Sequence, residues 1–167
     1  MIAAIVAVDM NWGIGYNGEL LERIPQDLKH FKELTNNKWV IMGRKTWDSL
    51  PKKPLSGRTN AVITHNSTLR DKNKDAIFLS LEDMKLILQQ QRDADFFVIG
   101  GEQIYREFLP YCDRIYVTKI YCEHDKVDTY FPNIDALNEW VLVHMSEVFE
   151  HNGIKYQFCE YNSIFDL

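Results

Sequence analysis

The chain has 167 residues, of which 46% are hydrophobic and 26% are charged, so its composition excludes a disordered or fibrous protein. The net charge of -5 argues against a general attraction to nucleic acid or to anionic membranes. The longest apolar run, Met1 to Val8, is too short for a membrane span of ~20 residues and lacks the flanks of a signal peptide. We therefore expect a cytoplasmic protein with one domain over residues 1–167, in which any anionic ligand meets a local basic site.

Strands that alternate with helices are predicted for the first two thirds of the chain. Short apolar runs rich in β-branched residues predict buried strands at Ile2 to Val8, Trp39 to Gly43, Thr59 to Thr64 and Phe96 to Ile99. A helix is expected to begin at Pro25, with Leu28, Phe31 and Leu34 facing a core. Further helices are expected over Arg44 to Leu50, from Leu81 to about Gln91 after the capping residue Ser80, and from Ile104 until Pro110 stops it. The glycine-containing stretch Asp9 to Arg23 is expected to be a long functional loop, and His65 to Asp75 an exposed one.

The last third of the chain predicts further strands. Arg114 to Cys122 alternates apolar and polar residues, and the runs Val141 to Phe149 and Ile154 to Tyr161 flank Asn152-Gly153, a strong type I′ hairpin signal. Strands that alternate with helices imply right-handed parallel crossovers, to which the hairpin adds an antiparallel edge. The predicted fold class is therefore α/β with a mixed sheet.

Three predicted loops carry groups that bind phosphate. In open α/β sheets, ligands bind beyond the carboxyl ends of the strands, where helix N-termini attract anions. The loops with amides, cations or hydroxyls at such positions are Gly43-Arg44-Lys45-Thr46, Thr64-His65 and Gly100-Gly101. Each alone is more typical of a tight turn or a solvated surface, and none fits the GxGxxG pattern of an ordinary Rossmann domain. Together they indicate a phosphorylated nucleotide.

Asp27 is the acidic residue with the most unusual position. On a helix that advances ~100° per residue, it lies between Ile24 and Leu34 and about 40° from Phe31, within the apolar arc. One reading is a solvated acid that the helix dipole favours in the first turn. The other is a carboxylate in an apolar cleft that binds a cationic or amidine-like group, with its pKa raised by desolvation until it is paired.

The remaining candidates for chemistry are weak. The five histidines show no metal-ligand spacing, and no GxSxG or Walker pattern is present, so neither a metal site nor nucleophilic hydrolysis is expected. The three cysteines, Cys112, Cys122 and Cys159, are odd in number and lack CxxC spacing. They are expected to be packing residues in a reducing compartment.

Several motifs, in the same order, are similar to those of bacterial dihydrofolate reductases. They are Ala7-Val8-Asp9 with Ile14-Gly15, Ile24-Pro25-Gln26-Asp27-Leu28 with Phe31-Lys32, Val40-Ile41-Met42-Gly43-Arg44-Lys45-Thr46-Trp47, Pro54-Leu55-Ser56-Gly57-Arg58, Val98-Ile99-Gly100-Gly101 with Tyr105, Tyr116-Val117-Thr118, and Asp128-Thr129-Tyr130-Phe131-Pro132. The resemblance covers residue 1 to about 161. It implies a central eight-stranded mixed sheet, mostly parallel, with flanking helices. It also implies a monomeric oxidoreductase, a target of antifolate inhibitors, that reduces 7,8-dihydrofolate to tetrahydrofolate with NADPH.

The resemblance assigns substrate-binding roles position by position. Asp27 would bind the 2-amino group and N3 of the pterin, with Thr118 supporting it, and Arg58 would clamp the glutamate α-carboxylate through a charge-assisted fork. The side chains that would line the pterin and aminobenzoyl groups are Ile5, Leu28, Phe31, Leu50, Leu55 and Ile99, and Tyr105 completes the substrate-binding set.

Cofactor-binding roles follow from the same resemblance. Ala7 and Ile14 would contact the nicotinamide. The group around the 2′-phosphate and adenosine would be Arg44, Thr64, His65 and Gln103, and the group along the pyrophosphate would be Lys45, Thr46, Gly100, Gly101 and Glu102. Gly15, Gly43 and Ile104 complete the set. The loop from Asp9 to Arg23 would close over the nicotinamide and exclude water during hydride transfer to pterin C6.

One segment departs from the family pattern. The family usually has Leu-Pro-Trp where this chain has Leu20-Leu21-Glu22-Arg23, and the tryptophan helps to order a water near the pterin. The sequence therefore leaves open how that water is positioned here. It also leaves open how an extra carboxylate near Asp27 affects the electrostatics of the site. Two alternatives are a reductase of the same fold that acts on another heterocycle, such as a pyrimidine of riboflavin synthesis, and a nucleotide-binding protein without catalysis.

Overall fold

The computed structural model describes residues 1–65 and 75–166. Its strands are β1 (Ile2–Val8), β2 (Gly13–Tyr16), β3 (Glu19–Leu20), β4 (Trp39–Gly43), β5 (Thr59–Ile63), β6 (Ile77–Leu79), β7 (Phe96–Gly100), β8 (Arg114–Ile120), β9 (Thr129–Tyr130), β10 (Trp140–His151) and β11 (Ile154–Ser163). Its α-helices are α1 (Pro25–Thr35), α2 (Arg44–Ser49), α3 (Leu81–Gln90) and α4 (Glu102–Phe108). Short 3₁₀ turns cover Leu109–Tyr111, Ile134–Ala136 and Ile164–Asp166.

An eight-stranded sheet forms the centre of the molecule, in the order β10-β11-β8-β1-β7-β4-β5-β6. The strands from β8 to β6 in that order are parallel neighbours, whereas β11 is antiparallel to both β8 and β10. Asn152 and Gly153, at the tip of the β10–β11 hairpin, both have positive φ, as a type I′ turn requires. The predicted α/β class with a mixed, mostly parallel sheet and a C-terminal antiparallel hairpin is therefore confirmed.

Alternate residues of each strand face opposite sides of this sheet and build two apolar layers. One layer contains Ala3, Ile5, Val40, Met42, Val62 and Phe97, covered by Phe31 and Leu34 of α1 and Trp47 of α2. The other contains Ala4, Val6, Ile41, Ala61, Val98 and Val117, covered by Met84 and Leu88 of α3 and by Tyr105 and Phe108 of α4. The helices thus lie on both faces, and α1 with α2 covers the face that carries the site.

The stretch from Asp9 to Arg23 is more structured than the sequence predicted. β2 pairs with β3, and β2 also pairs with β9, which forms a second, three-stranded sheet. Asn17 donates its backbone N–H to the Asp128 carboxylate at 2.9 Å, and Asp128 donates its own to the Gly15 carbonyl at 3.0 Å. The long loop is therefore fixed to the segment between β8 and β9, to which only tertiary contacts bring it.

Three smaller expectations also needed correction. α1 does not bury Leu28, which is 44% exposed, although Phe31 and Leu34 of the same helix pack against the sheet. The strand β6 was missed because its apolar stretch is so short, and α4 continues past Phe108 as a 3₁₀ turn that includes Pro110.

Residues 66–74 of the expected exposed loop lie outside the described residues. Among the described residues, no helix is long and apolar enough to cross a membrane.

Candidate active site

Asp27 lies in the first turn of α1, directly above strand β8. Pro25 starts the helix, because its fixed φ suits the first helical position and its missing N–H is not needed there. The Thr118 hydroxyl donates to Asp27 Oδ1 at 2.6 Å, and Thr118 is itself buried. Burial raises the pKa of Asp27, and the hydrogen bond from Thr118 and the charge of His30 oppose this only in part. The carboxyl group therefore has one hydroxyl donor and a pKa that burial raises.

His30 is a neighbour of this carboxyl group that sequence reasoning missed. It follows Asp27 by three positions on α1, a spacing that brings two side chains to the same helix face. Its ring stacks on Phe158 of β11 with the centroids 4.0 Å apart. Burial lowers the pKa of His30, although the charges of Asp27 and Glu33 favour its protonated form. The spacing from Asp27 was a signal that could have identified it.

The apolar side chains assigned to the substrate form one group. Ile5 is buried in the sheet layer under α1, and Phe31, Leu50, Leu55 and Ile99 pack partly buried against the same layer. Leu28 lies outside this group and is exposed.

Arg58 is positioned beside this apolar group by polar contacts. Its Nη1 donates to the Thr35 hydroxyl at 3.1 Å and its Nε to the Ser56 carbonyl at 2.9 Å, while its Cζ lies 5.9 Å from the Phe31 ring centroid. Within residues 1–65 and 75–166, Nη2 has no hydrogen-bond partner. An arginine side chain whose Nη2 can still donate hydrogen bonds is suited to a carboxylate ligand.

Two buried polar residues set the position of Arg58, and sequence reasoning identified neither. Asn60 of β5 accepts the Leu55 N–H at 3.0 Å and donates to the carbonyls of Leu55 and Arg58 at 2.9 and 3.1 Å. Thr35 donates its hydroxyl to the Phe31 carbonyl at 2.8 Å, which leaves the oxygen free to accept from Arg58. Both side chains are almost fully buried, which identifies them as supports of the turn and of the cation.

The predicted phosphate-binding loops meet at one edge of the sheet. Gly43 pairs with Ile63, the residue before Thr64, and Met42 pairs with Gly100. α2 begins at Arg44 and α4 at Glu102, and neither helix start has a side-chain cap. A Cβ on Gly43 would come within 3.0 Å of Ile104, and Gly100 has a φ of +120°, so larger residues would disturb both loops.

The other residues assigned to the cofactor lie around this edge. Arg44, Lys45, His65 and Gln103 are exposed, and Thr46, Thr64, Gly101 and Glu102 are partly exposed. Arg44 Nε is 3.5 Å from the Asp48 carboxylate one turn later, and Glu102 Oε1 accepts the Tyr130 N–H at 2.7 Å. Tyr105 is buried and donates its hydroxyl to the Ile5 carbonyl at 2.7 Å, so it joins α4 to β1 beneath the cleft.

The Asp9–Arg23 segment brings Ile14 and Gly15 of β2 past the end of β1, where Ala7 is partly exposed. Glu22, which stands in place of the family's usual tryptophan, has its Oε1 3.0 Å from His124 Nε2. Burial lowers the pKa of His124, but hydrogen bonds and charges from Glu22 and Asp9 raise it on balance. Glu22 is therefore engaged by His124 and is not among the groups that shift the pKa of Asp27.

These features fit a nucleotide cofactor with an anionic backbone. The carboxyl edge of the sheet brings together two uncapped helix starts, the glycine turns and the cations Arg44 and Lys45. These groups donate hydrogen bonds and positive charge, which a ligand with a diphosphate and a further phosphate needs. Ile99, which belongs to the apolar layer under α1, directly precedes Gly100 of this edge in β7. Fold and site together define an α/β enzyme that uses a nucleotide cofactor.

Comparison with known proteins makes this class specific. The family model described as dihydrofolate reductase matches residues 1–163. The curated dihydrofolate reductase of Buchnera aphidicola subsp. Schizaphis graminum is 35% identical to this chain over 159 residues, which are 95% of either chain. That of Bacillus subtilis is 37% identical over 163 residues, which are 96% of this chain and 94% of the other. That of Mus musculus is 38% identical over 180 residues, which are 94% of either chain. The chain belongs to the dihydrofolate reductase family, whose members are oxidoreductases that use NADPH.

Proposed function

We propose that this chain reduces 7,8-dihydrofolate to 5,6,7,8-tetrahydrofolate with NADPH, and that Asp27 is its central catalytic residue. The observation that carries the proposal is the buried Asp27 carboxyl group with its 2.6 Å bond from Thr118, above an apolar layer of the sheet. A flat heterocycle that donates hydrogen bonds from an amino group and a ring nitrogen is the ligand that such a carboxyl group satisfies.

Asp27 has two tasks in this proposal. As a carboxylate it accepts hydrogen bonds from the 2-amino group and N3 of the pterin, and its charge favours the protonated substrate that the reaction at N5 requires. Thr118 donates to one oxygen and so leaves the other oxygen for the pterin. The apolar group of Ile5, Phe31, Leu50, Leu55 and Ile99, with Leu28 at the mouth, orients the rings and excludes water.

Arg58 and Tyr105 complete the substrate side. Arg58 binds the α-carboxylate of the glutamate tail through Nη2, while the Thr35 hydroxyl and the Ser56 carbonyl fix the direction of the guanidinium group. Tyr105 keeps β1 and α4 together below the pterin through its bond to the Ile5 carbonyl. Antifolate inhibitors, which share the flat amino-substituted ring, are expected to occupy the same cleft.

The cofactor side consists of the edge described above. NADPH supplies the hydride that is added at pterin C6. Arg44, Thr64, His65 and Gln103 bind the 2′-phosphate and adenosine, and Lys45, Thr46, Gly100, Gly101 and Glu102 follow the pyrophosphate, with Gly43 and Ile104 beside them. Ala7, Ile14 and Gly15 contact the nicotinamide. The β2–β3 hairpin, which β9 and Asp128 hold in place, covers this end of the cleft and keeps water out.

We also propose that the chain works as a monomer with one domain over residues 1–167 in the cytoplasm. The free state of Cys112, Cys122 and Cys159 supports a reducing compartment.

The test is the loss of NADPH absorbance with purified protein and 7,8-dihydrofolate, beside a control without folate. Rapid loss that needs dihydrofolate supports the proposal. Loss with a pyrimidine intermediate of riboflavin synthesis and none with dihydrofolate would show a reductase of another heterocycle. NADPH binding with no turnover on either substrate would show a nucleotide-binding protein without catalysis.

A further inference from the structure

A cluster of four metal-ligating or ionisable side chains lies outside the proposed catalytic machinery, at the junction of the Asp9–Arg23 segment and the chain after β8. It consists of Asp9, Glu22, Cys122 and His124, and is referred to as the junction cluster. His124 Nε2 is 3.0 Å from Glu22 Oε1, and the Cys122 Sγ is 3.8 Å from the same nitrogen. The three ligand atoms of Glu22, Cys122 and His124 all lie within 4.8 Å of one another.

These separations are close to those within a metal coordination sphere. Zinc binds imidazole nitrogen and carboxylate oxygen at about 2.0–2.2 Å and thiolate sulfur at about 2.3 Å, so tetrahedral ligands lie roughly 3.3–3.7 Å apart. The distances in the junction cluster differ from that range by a few tenths of an ångström for the nitrogen–oxygen and nitrogen–sulfur pairs. The Cys122 Sγ is also 3.9 Å from His124 Nδ1, so the thiol lies beside the ring, and a rotation of the Cys122 or His124 side chain would place all three atoms on one ion with a fourth position for water.

Asp9 provides the support that a histidine ligand needs. Its Oδ2 is 3.1 Å from His124 Nδ1, so an Nδ1–H donated to Asp9 leaves the lone pair on Nε2, the nitrogen that lies 3.0 Å from Glu22 Oε1. Its Oδ1 accepts the N–H groups of Asn11 and Gly13 at 2.9 and 2.8 Å, which fixes the carboxylate. A carboxylate behind a histidine is the usual partner of a metal-bound imidazole, because it sets the tautomer and the ring orientation.

The position of the cluster allows an ion to enter. Glu22 and His124 have side-chain exposures of 29% and 18%, and Cys122 is partly exposed, whereas Asp9 is almost fully buried behind them. Cys112 and Cys159 are buried elsewhere, so Cys122 is the accessible thiol. The three ligands thus face solvent and their supporting carboxylate faces the interior.

We propose that Glu22, Cys122 and His124 bind one divalent transition-metal ion of the zinc type, with Asp9 as the positioning residue behind His124. A thiolate, an imidazole and a carboxylate together suit zinc and disfavour the hard ions magnesium and calcium, which prefer oxygen ligands. The spacing of histidines along the sequence did not indicate this site, because Glu22 and His124 are 102 positions apart. A bound ion would join the segment before α1 to the chain after β8.

The test is a titration of the chelator-treated, untagged protein with Co²⁺ at micromolar concentration, followed by absorption spectroscopy. We expect one Co²⁺ per chain, a thiolate-to-cobalt charge-transfer band, visible bands of tetrahedral intensity, and displacement by Zn²⁺ but not by Mg²⁺. The melting temperature should rise with the concentration of Zn²⁺, because the ion binds the folded chain.

Variants separate this site from adventitious binding. Cys122→Ser should abolish the charge-transfer band, and His124→Gln and Glu22→Gln should each weaken Zn²⁺ binding by at least about tenfold. Asp9→Asn should weaken it by roughly 10–100-fold while the charge-transfer band remains at saturating Co²⁺, as a positioning role requires. His144→Gln, which changes an exposed histidine of β10, is the matched control and should bind as the wild type does. Thermal melts without metal report whether each variant is folded.

Two outcomes with the wild type would overturn the proposal without any variant. One is the absence of Co²⁺ uptake by the wild type, which would leave His124 as an ion-pair partner of Asp9 and Glu22 only. The other is uptake without a thiolate band. Equal affinity of the wild type and a folded Cys122→Ser or His124→Gln variant would overturn it as well.

Discussion

Replacing Asp27 with asparagine should lower activity strongly while leaving the fold as stable as before. The change keeps the volume of the side chain and keeps an oxygen that can accept the Thr118 hydroxyl, which is now 2.6 Å from Asp27 Oδ1. It removes the negative charge, and positioned acid or base groups contribute about 10² to 10⁴ in rate. Since each tenfold change in rate is about 1.4 kcal/mol, the barrier should rise by roughly 2.8 to 5.6 kcal/mol at neutral pH.

The effect on stability should be small because two contributions oppose each other. Burial raises the pKa of Asp27, so the folded protein prefers the neutral acid, and ionisation at neutral pH destabilises the fold. This destabilisation develops as pH rises from the pKa of the unfolded carboxyl group to that of the folded one, and it remains above that range. The amide does not ionise, but it exchanges a charged hydrogen bond for a neutral one at a cost of about 1 kcal/mol. We expect a change in melting temperature within roughly 4 °C.

Steady-state turnover of the wild type and Asp27→Asn between pH 5 and pH 9, with thermal melts as the folding control, measures both effects. The variant should regain activity as pH falls, because dihydrofolate can then be protonated by solvent before it binds. A folded variant with wild-type turnover and an unchanged pH profile would refute the catalytic role of Asp27. A variant that loses activity and also melts far below the wild type would show that Asp27 is a structural residue.

Four further changes test other parts of the site and fold. Arg58→Ala should weaken the binding of dihydrofolate by about 10- to 100-fold, and that of a pterin without the glutamate tail very little, as measured by fluorescence titration. Equal losses of affinity for both ligands would show that Arg58 has a structural role. Arg44→Ala should weaken the binding of NADPH by a similar factor and that of NADH much less. Equal losses of affinity for both cofactors would show that Arg44 does not bind the 2′-phosphate. Thr118→Val removes a hydrogen bond that lowers the pKa of Asp27, so the carboxyl pKa, followed by ¹³C NMR, should rise further, and an unchanged pKa would contradict the contact. Ser80→Ala removes the cap that accepts the Asp83 N–H at 3.1 Å and should cost about 1 kcal/mol, or roughly 2–4 °C in melting temperature, without a change in turnover.

The main elements of the fold could be predicted from the sequence because their signals are local. Ile2–Val8 and Trp39–Gly43 form strands over the very ranges that their apolar runs indicated, and Ser80 caps α3 as its spacing from Asp83 suggested. Asn152-Gly153 marked the hairpin, since few other pairs accept two positive φ angles in succession. Local patterns of this kind depend only on neighbours a few positions away.

The position of Asp27 within the apolar arc was also readable from the sequence, because a helix converts spacing directly into direction. The supports around the site were not. Thr35 and Asn60 hold Arg58 and its turn through bonds that cross from α1 and β5, and His30 meets a ring of β11. Polar residues such as these look like ordinary surface residues in a sequence, and only the packed structure shows that they are buried and bonded.

The sequence by itself therefore determined the class of sheet, the order of most strands and helices along the chain, and the helix face that carries Asp27. The tertiary structure alone decided that the segment after Asp9 forms a small sheet with β9, and that Glu22 meets His124 rather than Asp27. The physical reason is the range of the interactions. Periodicity and capping act within one or two turns of chain, whereas these contacts join residues about a hundred positions apart and exist only after the whole sheet has assembled.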